Sequence, residues 1–125
     1  MLREKLIEAA VKAKEKAYAP YSNFRVGAAL LSDGKIYSGF NIENASYSLT
    51  VCAERVAAIN AIVDGSKGFE KIAIASDGAD FITPCGACLQ FLAEFSKDME
   101  VILVNGKGDS EITTLKKLLP SPFSL

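Results

Sequence analysis

Cys52, Cys85 and Cys88 are the residues best equipped for chemistry in this chain, which contains no histidine. An odd thiol count fits a disulfide framework poorly, so metal or redox chemistry is the expectation to start from. Cys85 and Cys88 stand three apart, the spacing that puts two side chains on one face of a helix. Cys52 opens the run Cys52-Ala53-Glu54-Arg55. All three fall at expected helix starts, where the positive end of the helix lowers thiol pKa and favours the metal-binding thiolate. Three sulfurs are an informative number. A structural zinc site is usually closed by four protein ligands, whereas a catalytic one keeps a position open. Glu54 follows Cys52 by two residues, which in a regular helix sends the two side chains to nearly opposite faces. It is therefore expected beside the open position, not on the metal. Three thiolates on a divalent ion leave a charge of −1, and Arg55 with two helix termini are the sources of compensation.

The elements that must carry these residues are readable from periodicity. Leu2, Leu6, Ala9, Ala10, Ala13 and Ala17 recur at helical spacing and predict a first helix ending near Pro20. Residues 24–31 and 35–42 are β-rich and joined by Ser32-Asp33-Gly34, the pattern of a hairpin. Residues 51–63 are almost continuously hydrophobic and predict a helix buried on most sides, closed by Asp64-Gly65. A buried strand is expected over 71–76, and a third helix runs from Pro84-Cys85-Gly86 to about Ser96. Another strand covers 100–105, with a short edge strand over 111–113 and a short helix over 114–119. The order predicts an α/β fold, a three-layer α-β-α sandwich with a mixed, mostly parallel sheet, since β-α-β units require crossovers. Its length of 125 residues suits a single domain over 1–125. Phe91 and Phe95 lie four apart beyond Leu89 and Leu92, and this second apolar stripe reads as a partner surface.

Composition excludes several classes. Fourteen basic residues are scattered among fifteen acidic ones, for a net charge of −1. A polyanion requires a basic face, so a nucleic-acid polymer is not the expected partner. No apolar run approaches the ~18 residues of a membrane span. The stretch Met1-Leu2-Arg3-Glu4-Lys5 lacks the apolar core of a signal peptide, so a cytoplasmic location is expected.

Cys-x-Glu followed by Pro-Cys-x-x-Cys is the spacing of zinc nucleobase deaminases, with cysteine replacing histidine as first ligand. Over essentially its whole length the chain resembles the small homotetrameric class of zinc-dependent cytidine deaminases. The matching stretches are Tyr21-Ser22-Asn23-Phe24-Arg25-Val26-Gly27-Ala28-Ala29, Asn41-Ile42-Glu43-Asn44-Ala45, Cys52-Ala53-Glu54-Arg55, Pro84-Cys85-Gly86-Ala87-Cys88 and Leu118-Leu119-Pro120. The resemblance implies one Zn²⁺ per chain on Cys52, Cys85 and Cys88, with Glu54 as proton shuttle. It implies that Asn41 and Glu43 hold the ribose hydroxyl, Phe24 packs on the nucleoside and the Ala53 amide contacts the base. Phe123 would reach into a neighbouring subunit's pocket. The implied reaction is hydrolytic deamination of cytidine and deoxycytidine in pyrimidine salvage. Leu89 stands where the family commonly has arginine, which leaves Arg55 more of the thiolate charge to offset.

Plainer readings compete at each position. Asn41 and Glu43 sit at a strand end, where turn-forming polar residues are ordinary. Phe24 would pass for core, Phe123 for a tail anchor, and Arg55 for a solvated helix residue. At the level of function the rivals are a deaminase of another amine such as blasticidin S, a polynucleotide deaminase, a closed zinc scaffold and a thiol redox protein. The sugar motif, the acidic balance, the missing fourth ligand and stoichiometric metal, respectively, discriminate against them.

Overall fold

Alternation along the strands decides the layering. The computed structural model describes residues 2–125; Met1, read above with the N-terminal stretch, lies outside them. In chain order the elements are α1 (Leu2–Lys14), β1 (Val26–Ser32), β2 (Lys35–Phe40), a 3₁₀ turn (Tyr47–Leu49), α2 (Ala53–Val63), β3 (Phe69–Ser76), α3 (Gly86–Ala93), β4 (Glu100–Val104), β5 (Ser110–Thr114) and α4 (Leu115–Leu118). Ala28, Leu30, Ile72, Ile74, Val101 and Leu103 face a core shared with Ala53, Ala57, Ala61, Leu89, Leu92 and Leu115 of the later helices. The intervening Ala29, Leu31, Ala73, Ala75, Ile102 and Val104 pack on Leu6 and Ala10 of α1. The period of two thus buries both faces of the sheet, one under α1 and the other under α2, α3 and α4, which is the expected three-layer sandwich.

The strand order is β2-β1-β3-β4-β5. Pairing is antiparallel for β1 with β2, β1 with β3 and β4 with β5, and parallel for β3 with β4. The sheet is therefore mixed but mostly antiparallel, which corrects the expectation of a mostly parallel one. β2 and β3 do run in the same direction on either side of a crossover, but β1 is inserted between them and pairs antiparallel with both. The same insertion builds the site. Because β2 and β3 point the same way, the helices that follow them, α2 and α3, begin at the same end of the sheet.

Two further expectations change. The first helix stops at Lys14, well before Pro20, because the chain turns to pair with the end of β2. The Tyr18 amide donates to the Asn41 carbonyl (2.9 Å) and the Glu43 amide to the Tyr18 carbonyl (2.8 Å). Phe91 and Phe95 do not form a free stripe. Both are partly buried against the core, with the Phe95 ring 5.1 Å from that of Phe69 and 6.2 Å from that of Phe91. α3 ends at Ala93, and Phe95 folds back onto Phe69 at the start of β3 with Phe91 beside it, so both rings are partly covered.

Gly39 sets how closely α2 lies on the sheet. A Cβ on Gly39 would collide with the Ala57 amide nitrogen and the Ala53 carbonyl, so α2 rests backbone to backbone on β2.

Candidate active site

Both cysteine-bearing turns begin the same way. Cys52 caps the N-terminus of α2 with φ −76° and ψ 154°, and Cys85 caps α3 with φ −68° and ψ 162°. Neither side chain is spent on capping its helix, so each sulfur is free to point outward. Cys88 follows one turn into α3 and is fully buried. Cys52 Sγ lies 3.9 Å from Cys85 Sγ, which lies 3.4 Å from Cys88 Sγ, and all three sulfurs fall within 4.8 Å of one another. Arg55 Nη2 donates to Cys52 Sγ at 3.5 Å. Donation from the Cys88 thiol and from Arg55 pulls the Cys52 thiol down to about 5. Cys88, the donor to that sulfur and itself buried, is pushed the other way.

Glu54 occupies the first turn of α2 and is 5% exposed. Burial, reinforced by the negative charge of Cys52, raises its carboxyl to about 7. A cavity of about 200 Å³ opens beside it, bounded by Asn41, Cys52, Ala53, Glu54 and Cys85, with Val26, Thr50, Ile74, Ser76, Ile82 and Thr83 completing the wall. Sequence reasoning missed this last group. Thr50 and Thr83 each stand two residues before a capping cysteine, and Ser76 is a buried hydroxyl ending an apolar strand run. Those placements were the available signals.

Residues 21–25 form an irregular segment that leads into β1 at Val26, and side chains hold it. Asn41 uses both ends of its amide: Oδ1 accepts from the Val26 amide (2.9 Å), and Nδ2 donates to the Phe24 carbonyl (3.0 Å). Glu43 is 8% exposed and accepts from the amides of Tyr21 (2.9 Å) and Ser22 (3.1 Å) on Oε1 and from the Ser22 hydroxyl on Oε2. Those donors keep its carboxyl below the usual carboxylate range. The Phe24 ring lies near Gly78 and Ile82, beside the loop that forms one cavity wall. The structure thus gathers Asn41, Cys52, Ala53, Glu54 and Cys85 around one cavity, with Cys88 in the thiol cluster and Phe24 against the loop of the cavity wall, whereas Glu43 is bonded to Tyr21 and Ser22 and does not line the cavity. Phe123 stands apart. Its ring is largely solvent-exposed, and its main chain is clamped by Gln90, whose Nε2 donates to the Phe123 carbonyl while Oε1 accepts its amide (both 3.0 Å).

Residues 1–105 match the family described as the cytidine and deoxycytidylate deaminase zinc-binding region. This chain belongs to that family. Cytidine deaminase of Sporosarcina psychrophila is 54% identical over 123 residues, covering 97% of this chain and 90% of the relative. Cytidine deaminase of Halalkalibacterium halodurans is 48% identical over 126 residues, covering 99% and 96%. The crystal structure of cytidine deaminase from Burkholderia pseudomallei superposes with a TM-score of 0.93 at 50% identity, covering 98% of this chain and all of that one.

The deaminase family's zinc fits the donor set here. Two sulfurs about 2.3 Å from one tetrahedral ion stand about 3.8 Å apart, close to the separations of 3.9 and 3.4 Å found. Two helix N-termini and Arg55 direct positive charge at the three sulfurs, as a site of net negative charge requires. Among the described residues, no helix is long and apolar enough to cross a membrane.

Proposed function

We propose that this chain hydrolyses cytidine and deoxycytidine to uridine and deoxyuridine, releasing ammonia. The observation that carries this reading is Glu54, a buried carboxylate on the wall of a cavity shared with Cys52 and Cys85. Zinc held by Cys52, Cys85 and Cys88 would supply a Lewis acid that makes water nucleophilic near neutral pH. Glu54 then moves the protons. It accepts one from the attacking water and delivers it to N3 of the pyrimidine as the water oxygen bonds to C4. The resulting C4 carries both a hydroxyl and the amine. Glu54 next takes the hydroxyl proton and passes it to the amine, the C4–N bond breaks, and ammonia leaves a carbonyl behind. Burial, which raises the Glu54 carboxyl above its ordinary range, suits a group acting as base and acid in turn.

The remaining assignments are part of the same proposal. Arg55 offsets the charge of the thiolates, a role supported by its bond to Cys52. The Ala53 amide contacts the base, Asn41 and Glu43 receive the ribose, and Phe24 packs on the nucleoside. Phe123, exposed and held by Gln90, is presented to a neighbouring subunit of a homotetramer. Exposed Tyr47, Leu49, Ile59 and Val63 offer apolar surface for such an assembly. The enzyme acts on free nucleosides in pyrimidine salvage in the cytoplasm, with residues 1–125 forming one domain.

The test is ammonia release from purified zinc-loaded protein given cytidine, deoxycytidine, cytosine, CMP and adenosine. Turnover of the first two above the rest is expected, and turnover of CMP or adenosine alone would overturn the reading. Light scattering on the same sample reads the assembly, and a fully active monomer would remove Phe123 from the pocket.

A further inference from the structure

Asn41 and Glu43 carry sugar-binding roles in the reading above, yet both are already engaged with residues 21–26. Glu43 has two oxygens with about four lone-pair sites. Tyr21 and Ser22 amides take both sites on Oε1, and the Ser22 hydroxyl takes one on Oε2. Among the described residues, that leaves one acceptor position, on Oε2, and the Ser22 hydroxyl fixes which one. The same Ser22 oxygen accepts the Phe24 amide at 3.0 Å. Asn23, at φ +57°, bends the chain between them so that the Phe24 amide returns to Ser22 Oγ. One hydroxyl therefore receives from the main chain of Phe24 and donates to the side chain of Glu43, in a segment with no helix or strand to order it. A hydroxyl is the smallest side-chain group that performs both tasks at once.

We propose that Ser22 is a positioning residue that couples Glu43 to Phe24, setting the free acceptor of the carboxylate and the aromatic ring in one arrangement before the nucleoside arrives. The inference rests on the reading of Glu43 and Phe24 as nucleoside contacts. Supporting it, the Ser22 hydroxyl is the largest of the influences that keep the Glu43 carboxyl ionised. Ser22 is itself exposed, so its side chain adds little to the core and its value lies in the two bonds.

The experiment is steady-state kinetics on cytidine with zinc-loaded wild type, Ser22→Ala, Ser22→Thr, Glu43→Ala and the Ser22→Ala/Glu43→Ala double variant. Ser22→Ala should raise KM about tenfold, the loss of a hydrogen bond to a charged group, with kcat within about twofold. Ser22→Thr, which keeps the hydroxyl, should restore KM. In the double variant the rise in KM should fall well short of the product of the single effects, since the two residues act as a unit. An unchanged KM in Ser22→Ala, full multiplicative effects in the double variant, a loss confined to kcat, or no rescue by threonine would each overturn the coupling. Should Glu43→Ala leave KM unchanged while Ser22→Ala raises it and threonine rescues it, the sugar reading of Glu43 falls and the link from Ser22 to Phe24 stands.

Discussion

Cys52 and Cys85 of the thiol cluster line the same cavity as Val26, which ends the segment 21–26, but the two regions are built by different means. Cys52, Glu54, Cys85 and Cys88 sit at or within one turn of the starts of two helices, and those helices are packed into the core through Ala57, Ala61, Leu89 and Leu92. Moving any of the four requires moving a helix. Residues 21–26 lie mostly outside regular structure and are tied down by single side chains, Asn41, Glu43 and Ser22 on one flank and Asp77 on the other. Each such bond contributes about 1 kcal/mol net, so the segment can open locally at far less cost than the helices can shift. On the proposed reading, chemistry resides on the rigid side, and recognition on the side that can adjust.

Three substitutions test that division. Glu54→Gln removes the proposed proton carrier from the rigid side and leaves its shape nearly unchanged, so kcat should fall by about 10³-fold or more while zinc content and fold persist. Steady-state rates with metal analysis check this, and activity retained within about tenfold would assign the shuttle elsewhere. Arg55→Ala should weaken zinc binding by about 10- to 100-fold, because the sulfurs lose their bonded cation while both helix termini remain. Competition with a chelator measures it, and undiminished retention would mean that the helix termini suffice.

The smallest effect belongs to the adjustable side. Asp77 receives Arg25 Nε at 2.9 Å and Nη2 at 3.2 Å, and Lys14 Nζ at 3.1 Å, tying β1, β3 and the end of α1 together. Arg25 first, then Lys14, holds the Asp77 carboxyl at about 2, below its ordinary 3.8. A lowered carboxyl pKa stabilises the fold above its unfolded value, and that contribution disappears as pH falls from about 4 towards 2. These side chains are partly exposed and screened by solvent, so Asp77→Asn should cost about 1 kcal/mol near neutral pH. Urea unfolding of both proteins should show that difference shrinking towards about pH 3 and in high salt. A difference independent of pH would show that Asp77 holds the segment through hydrogen-bond geometry and not through charge.

The same division governs what could be read from residues alone. Helix starts leave local marks, so Pro84-Cys85-Gly86 and Cys52-Ala53-Glu54 disclosed both turns, and hydrophobic alternation disclosed which strand residues share a face. The position of β1 between β2 and β3 left no such mark. It follows from pairing between distant strands, which is why a β-α-β reading gave too parallel a sheet. Phe95 read as surplus because its partner, Phe69, lies more than twenty residues away on another element, and Phe91 packs beside Phe95. Bonds from Glu43 to Tyr21 and Ser22 likewise span a loop whose path no periodicity encodes.

Gly39 carries a consequence of its own. Where it meets Ala53 and Ala57, helix and strand touch through their main chains, with no side chain between them to act as a spacer. Main-chain atoms have no rotamers to exchange, so the height of Glu54 above the sheet is gauged against a hard stop. Repacking elsewhere in the core, by mutation or by warming, proceeds through side chains that can change rotamer, a freedom this contact lacks. The Glu54 carboxylate therefore keeps its elevation while the surroundings drift, a tolerance conferred by a residue that contributes no side chain at all.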